Sequence, residues 1–220
     1  MAASRTREEK EEILEQIKDL LGIAYQIPFC IPGHDIDHII RVLAIADKIS
    51  ALDPDSHLLL KVAIWFHNLD RTTYFPRLTS QESRIDFILW HLIELGLTKE
   101  ESDIVLDAVS KHNRLNEEND SPILVLLKDA DRLDMGAIGI LRITKVPPNL
   151  PFYTLADFLR KQRGTRESDL TSVLHGIERC LEWEAMLRSP KAIEMAKRIF
   201  PFMRAFTEEV KRQLKELGLL

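Results

Sequence analysis

Apolar residues recur along this chain every three or four positions and almost never every two. That period is the mark of amphipathic helix, and it leaves little room for strands. Ile13, Ile17, Leu20 and Leu21 form one stripe, and Ile36, Ile39, Ile40, Leu43 and Ile49 form a second from about 35 to 51. Ile85, Ile88, Leu89, Leu92 and Leu95 form another, closed by Gly96. The run from Leu58 to Phe66 is apolar almost all round, which predicts a buried helix. Start signals agree with these stripes. Asp53-Pro54 reads as an N-cap followed by proline at the first helical position, and Thr98-Lys99-Glu100-Glu101 reads as a capping box. Ser121-Pro122 and Ser189-Pro190 open two more helices. Pro201 is expected to kink or break the last helix, and Gly218 sits where a C-terminal cap belongs. The expected fold is all-α: a single-domain bundle over residues 1–220 with about seven to ten helices, opened by an N-terminal helix within 1–22.

Composition narrows the functional classes. A chain of 220 residues has room for one ordinary domain, and 45% hydrophobic with 30% charged residues is a soluble balance. The net charge of −5 argues against a broad nucleic-acid surface, so no sequence-specific nucleic-acid binding is expected. Two cysteines, Cys30 and Cys180, with no CxxC pair exclude a zinc ribbon or a thioredoxin motif and point to a reducing, cytoplasmic setting. No apolar stretch approaches the roughly 20 residues that span a bilayer, and the opening MAASRTREEKEE lacks the apolar region of a secretory signal. The segment 143–170 carries Pro147, Pro148, Pro151 and Gly164 with a basic cluster, Arg160, Lys161, Arg163 and Arg166. It reads as a long irregular loop, either a lid or binding loop or a plain surface excursion.

Three polar clusters interrupt otherwise apolar helices. His34-Asp35-Ile36-Asp37-His38 opens a helix and is followed by Arg41-Val42. His67-Asn68-Leu69-Asp70-Arg71 ends the run VAIWF, and Asp129-Ala130-Asp131-Arg132-Leu133-Asp134 follows the run ILVLL. Imidazole and carboxylate at the ends of core helices are costly unless paired or metal-bound. Three such clusters in one small domain suggest that they converge, and mixed nitrogen and oxygen donors suit a divalent transition metal. Each group also has a plain reading: His34 as a cap or an outer partner of a ligand, His57 as a surface group, His91 as structural, and DADRLD as a solvated turn. Lys111-His112-Asn113-Arg114 either caps its helix or projects into a site.

The order HDIDHIIRV, AIWFHNLDR, KDADRLDMGAIGI resembles the HD-domain superfamily of metal-dependent phosphohydrolases, whose helical core carries an ordered H…HD…D signature. The tail adds to the likeness. Ser172, His175, Glu178 and the stretch Ala192 to Glu209, with Arg198, Phe202 and Met203, resemble the C-terminal helices of one bacterial and archaeal branch. The resemblance spans about residues 25 to 212. It implies that His38, His67 and Asp131 are metal ligands, with Asp129 as the rival to Asp131. Asn68 stands where the family has its central Asp, so a neutral carbonyl oxygen replaces a carboxylate, and Asp70 two residues on is positioned to compensate.

The resemblance implies hydrolysis of a phosphate ester or phosphoanhydride in a nucleotide or similar small phosphorylated metabolite. The cofactor would be a divalent metal, Mn, Fe, Co, Ni, Zn or Mg, held by His38, His67, Asn68 and Asp131. Asp70, Arg71 and His112 are the candidate catalytic residues, and Arg41 and Lys111, with Arg71 and His112, are candidates to bind substrate phosphate. Arg160, Lys161 and Arg163 are candidates to gate the site or to bind the polyphosphate. A homodimer is compatible with this reading. The alternative is a degenerate HD fold that binds a nucleotide or a protein partner without turnover.

Overall fold

The computed structural model describes residues 5–26, 28–144, 149–159 and 170–220. Among them are ten α-helices: α1 Arg7–Leu21, α2 Ile36–Ile49, α3 Pro54–Phe66, α4 Gln81–Glu94, α5 Lys99–Lys111, α6 Pro122–Leu133, α7 Ala137–Ile143, α8 Leu155–Leu159, α9 Val173–Cys180 and α10 Pro190–Glu216. Two 3₁₀ turns, Leu69–Arg71 and Leu181–Met186, follow α3 and α9. The described residues hold no strand, only an isolated antiparallel bridge between Cys30 and Thr72. The fold is all-α, as the periodicity predicts. Internal contacts divide the chain into two compact units, Met1–Asp131 and Arg132–Leu220.

In the first unit α3 is the central rod. It packs against α1, α2 and α5, and α4 packs on α5. Its residues from Leu58 to Phe66 are buried except Lys61. An apolar helix of this kind is stable only when other helices cover every side of it. Its start is fixed by Asp53, whose carboxylate accepts from the Asp55 and Ser56 amides, with Pro54 at the first helical position. The Thr98 capping box closes on Glu101 as expected. Glu101 also takes the Arg5 guanidinium at 2.5 Å and so ties the chain just before α1 to α5. Gly96 ends α4 at φ 78°, where its own N–H reaches Ile93 O and the Leu97 N–H reaches Leu92 O. One member of the predicted α2 stripe differs: Ile40 is exposed, while Val42 and Ala46 are buried with Ile39 and Ile49. Positions 39, 42, 46 and 49 are spaced three and four apart, and Ile40 stands about 100° away from that line.

A buried ion pair fixes the chain between α5 and α6. Lys128 and Asp120 meet at 2.9 Å with side chains only 1% and 2% exposed. Lys128 also donates to the Leu115 carbonyl at 3.1 Å, and Asp120 accepts from the Glu117 amide at 3.2 Å.

The second unit is built on Met135, Val173, Ile177, Cys180 and Met203, where α7, α9 and α10 pack together. Asp157 of α8 accepts from the Thr171 hydroxyl at 2.6 Å and also from the Ser172 hydroxyl, which caps α9. Of the kink or break expected at Pro201, the break does not occur: α10 runs from Pro190 to Glu216. Pro201 and Lys197 are exposed, so water can serve the Lys197 carbonyl that the proline leaves without an amide partner. Gly218 closes α10 at φ 70° with the same pair of amide bonds seen at Gly96, to Lys215 and Leu214. The irregular segment expected at 143–170 contains α8. Its Pro147, Pro148, Arg160, Lys161, Arg163, Gly164 and Arg166 lie outside the described residues.

Removing one member of the buried pair should cost far more than removing both. Lys128→Met is expected to lower the unfolding free energy by about 3–5 kcal/mol, because Asp120 is left as an uncompensated buried charge. The double variant Lys128→Met with Asp120→Leu should recover most of that loss. Urea unfolding of the two variants checks it, and equal losses would contradict it.

Candidate metal centre

The end of α3 explains why His67 points as it does. The last carbonyls of a helix have no amide partner within the helix. His67 is the C-cap residue of α3, and its Nδ1–H donates to the Ile64 carbonyl at 2.6 Å. That bond fixes the tautomer and leaves Nε2 as a lone-pair donor. The end of α5 repeats the device: His112 is its C-cap residue, and its Nδ1 bonds the Val109 carbonyl at 2.7 Å. Both helices therefore end in His-Asn, with the histidine satisfying a carbonyl three residues back.

His38 arrives from the start of α2. Asp35 is the N-cap, and its carboxylate accepts from the His38 amide at 3.2 Å. The ring is fully buried. Its Nε2 lies 3.3 Å from His67 Nε2 and 3.4 Å from Asp131 Oδ1, and His67 Nε2 lies 4.0 Å from the same oxygen. One donor atom from each of His38, His67 and Asp131 therefore falls within 4.8 Å of the other two. Of the two acidic candidates on α6, Asp131 brings its carboxylate to the imidazoles. Asp129 is fully buried two residues earlier, about 200° around the helix.

Four imidazoles stand in a row. Ring centroids are 5.7 Å apart for His34–His38, 5.4 Å for His38–His67 and 5.2 Å for His67–His112. His34 is buried edge-on to His38, which suits the outer place the sequence allowed it. Burial drives the His67 imidazole pKa down to about 3, with the His112 and His38 rings pushing the same way and Asp131 opposing. The ring is thus neutral at ordinary pH, the form that donates to a metal.

The remaining predicted residues take varied places. Asn68 is buried, and its amide Nδ2 lies 2.8 Å from His67 Nε2. Asp70 is exposed, with Arg71 Nε at 3.4 Å from its carboxylate. Lys111 is held by Asp107 at 2.5 Å, one turn back on α5. Arg41 is half-buried on α2. His57 bonds Asp47 at 2.8 Å, and His91 packs on Phe87 and Trp90, so both are accounted for by local structure.

The loops around the centre are braced. The Tyr25 hydroxyl donates to the Trp65 carbonyl at 2.7 Å, and the Tyr25 carbonyl accepts from the Ile36 amide at 3.0 Å. One buried residue therefore links the chain before α2 to the end of α3, and burial keeps its phenol protonated. The Ile31 amide bonds Arg71 O at 3.0 Å and the Thr73 amide bonds Phe29 O at 2.7 Å, pinning the chain just past Asp70.

Two nitrogens and one carboxylate oxygen, with one imidazole held as the free base by its backbone bond, fit a divalent transition ion. No protein-family model and no curated protein matches the chain. Solved structures do. Bacillus subtilis YpgQ in complex with ADP matches with a TM-score of 0.66 at 22% identity, over 93% of this chain and 96% of that one. A Lactobacillus plantarum protein matches with a TM-score of 0.71 at 18% identity, over 96% and 99%. A predicted HD superfamily hydrolase from an uncultured Thermotogales bacterium matches with a TM-score of 0.55 at 22% identity, over 94% and 92%. Such identities speak for architecture alone: this chain shares the all-α fold of these proteins, one of which is a predicted HD superfamily hydrolase.

Proposed function

We propose that this chain is a metal-dependent phosphohydrolase that acts on a nucleotide or a similar small phosphorylated metabolite, working as one domain across both compact units. The observation that carries the reading is the convergence of His38 Nε2, His67 Nε2 and Asp131 Oδ1 within 4.8 Å. The fold, and a neighbour crystallised with ADP, support the phosphate chemistry and the nucleotide class. A divalent ion held by His38, His67 and Asp131 would polarise a phosphoryl oxygen and lower the pKa of water. Asp70, exposed beside the buried histidines, orients or deprotonates the attacking water. His112, edge-on to His67, is placed to hold or deliver a proton at the leaving group. Arg71, Arg41 and Lys111 supply positive charge nearby.

Asn68 supports a second reading. Its amide rests on the nitrogen that a metal would take, and a neutral oxygen turned toward the ion attracts a dication less than a carboxylate does. A chain in which that loss is decisive would bind its phosphorylated ligand without turning it over.

Three outcomes follow from this assignment. His38→Ala should weaken manganese binding by at least about tenfold in a chelator competition, since one of three protein donors is gone. Asn68→Asp should bind manganese more tightly than the parent and raise phosphate release from nucleotides. Tighter metal binding without any release favours the non-catalytic reading, and unchanged binding removes Asn68 from the centre. The third outcome concerns pH. His67 takes a proton near 6.5 in the unfolded chain and only near 3 in the folded one. Between these values the unfolded chain binds more protons, so stability is present above about pH 6.5 and is lost as pH falls below it. The melting temperature of the metal-free protein should drop from about pH 7 to about pH 5, and His67→Gln should flatten that drop. A parent and variant with equal slopes would contradict the buried neutral ring.

A further inference from the structure

A cavity of about 210 Å³ opens beside His67, Asp70 and His112, within the first unit. Phe66, Leu69, Ile88 and Val109 are among the apolar residues that line it. Two cations line it as well, Arg84 of α4, which no motif announced, and Arg114 just past α5, the last residue of the Lys111-His112-Asn113-Arg114 cluster. Their surroundings set them apart from the basic residues that sequence order places beside the histidines. Arg71 has Asp70 at 3.4 Å and Lys111 has Asp107 at 2.5 Å. Among the described residues Arg84 has only a neutral partner, the Leu78 carbonyl at 3.3 Å from Nη1, although it is half-buried. The Arg114 side chain has no hydrogen bond or ion pair among the described residues.

The chain as a whole carries an excess of five negative charges, so carboxylates for pairing are plentiful. Two guanidinium groups line this cavity against one carboxylate, Asp70, which Arg71 already meets, so the lining is a local reversal of charge. Fixed charge of one sign in a low-dielectric recess concentrates ligands of the other sign. A guanidinium presents a planar fork that matches a phosphate or carboxylate with two hydrogen bonds. The volume is below the roughly 300–1,000 Å³ of sites that enclose a whole drug-sized ligand, so the cavity takes one part of a ligand rather than all of it.

We propose that Arg84 and Arg114 seat the anionic portion of the substrate in this cavity, ahead of Arg41, Arg71 and Lys111, and so position it against the metal centre. The inference rests on the phosphohydrolase reading for the word substrate, but the anion site stands on the cavity itself. Because the two residues act by charge and by the fork, lysine in place of arginine restores part of the effect and glutamine restores none.

Calorimetry with ADP and with inorganic pyrophosphate tests this, on the full chain in chelator and again with manganese. Arg84→Gln with Arg114→Gln should weaken binding of the anion by at least about tenfold, the worth of one lost charge-assisted hydrogen bond. Arg84→Lys with Arg114→Lys should fall between that pair and the parent. Manganese affinity and melting temperature should be those of the parent. A charge-matched control, Arg7→Gln with Lys99→Gln, removes two cations from helix starts and should bind the anion as the parent does. Parent-like anion affinity in the glutamine pair overturns the proposal. So does a loss equal to that of the control, or a parent that binds neither ADP nor pyrophosphate. Failure of the phosphohydrolase reading shows differently: the chelator arm still discriminates the glutamine pair while manganese adds nothing and no phosphate is released.

Discussion

A buried imidazole at the end of an apolar helix has two nitrogens to satisfy, and α3 satisfies one of them itself. The His67 Nδ1–H closes on the Ile64 carbonyl at 2.6 Å, which repairs a helix end and fixes a tautomer in one contact. Everything at the centre depends on that. With Nδ1 committed, Nε2 is left to face Asn68, His38 and Asp131. Burial then keeps the ring uncharged, so the protein meets a dication with a donor that needs no proton removed. A chain that buries a neutral imidazole in this way gives up stability in acid, which is a recurrent exchange at functional sites.

The other donors reach the same point from different helices, and their supports are as local as that of His67. Asp35 caps α2 and holds the His38 backbone, while Tyr25 holds the Trp65 carbonyl two residues before His67. Opposed requirements are met in a small space. The helices that deliver the donors are apolar because they must be buried, yet the residues that end them are polar because helix ends need partners. Ending helices at the site places His67 and His112 there, each satisfying a carbonyl of its own helix, Ile64 O and Val109 O. The buried Lys128–Asp120 pair extends the same economy to the turn after His112. It fixes the Leu115 carbonyl and the Glu117 amide of the stretch that carries Arg114 on its near side.

Much of this is readable from the residues, and the reasons are specific. The caps at Asp53 and Thr98 and the closing Gly96 and Gly218 are local chemistry, and local chemistry is written in adjacent positions. The burial of Leu58 to Phe66 follows from an apolar surface with no polar side. The choice between Asp129 and Asp131 is different in kind. Both lie in one acidic run, and only the rotation of α6 against the imidazoles separates them. That α10 continues past Pro201 could not be read from the sequence, because exposure, which decides whether water can stand in for a lost helix bond, is a tertiary property. Arg84 and Arg114 are thirty positions apart in the sequence, and only Arg114 sits in a cluster that the sequence singled out. Their common cavity exists only once α4 packs on α5, so no spacing along the chain could have joined them.

Growth of crystals with manganese and collection of anomalous scattering at the manganese edge test the central claim most directly, because the method locates the ion without reference to activity. The account predicts one dominant peak bounded by His38 Nε2, His67 Nε2 and the Asp131 carboxylate. A peak elsewhere in the molecule, or no peak at these residues with manganese in excess, would contradict it.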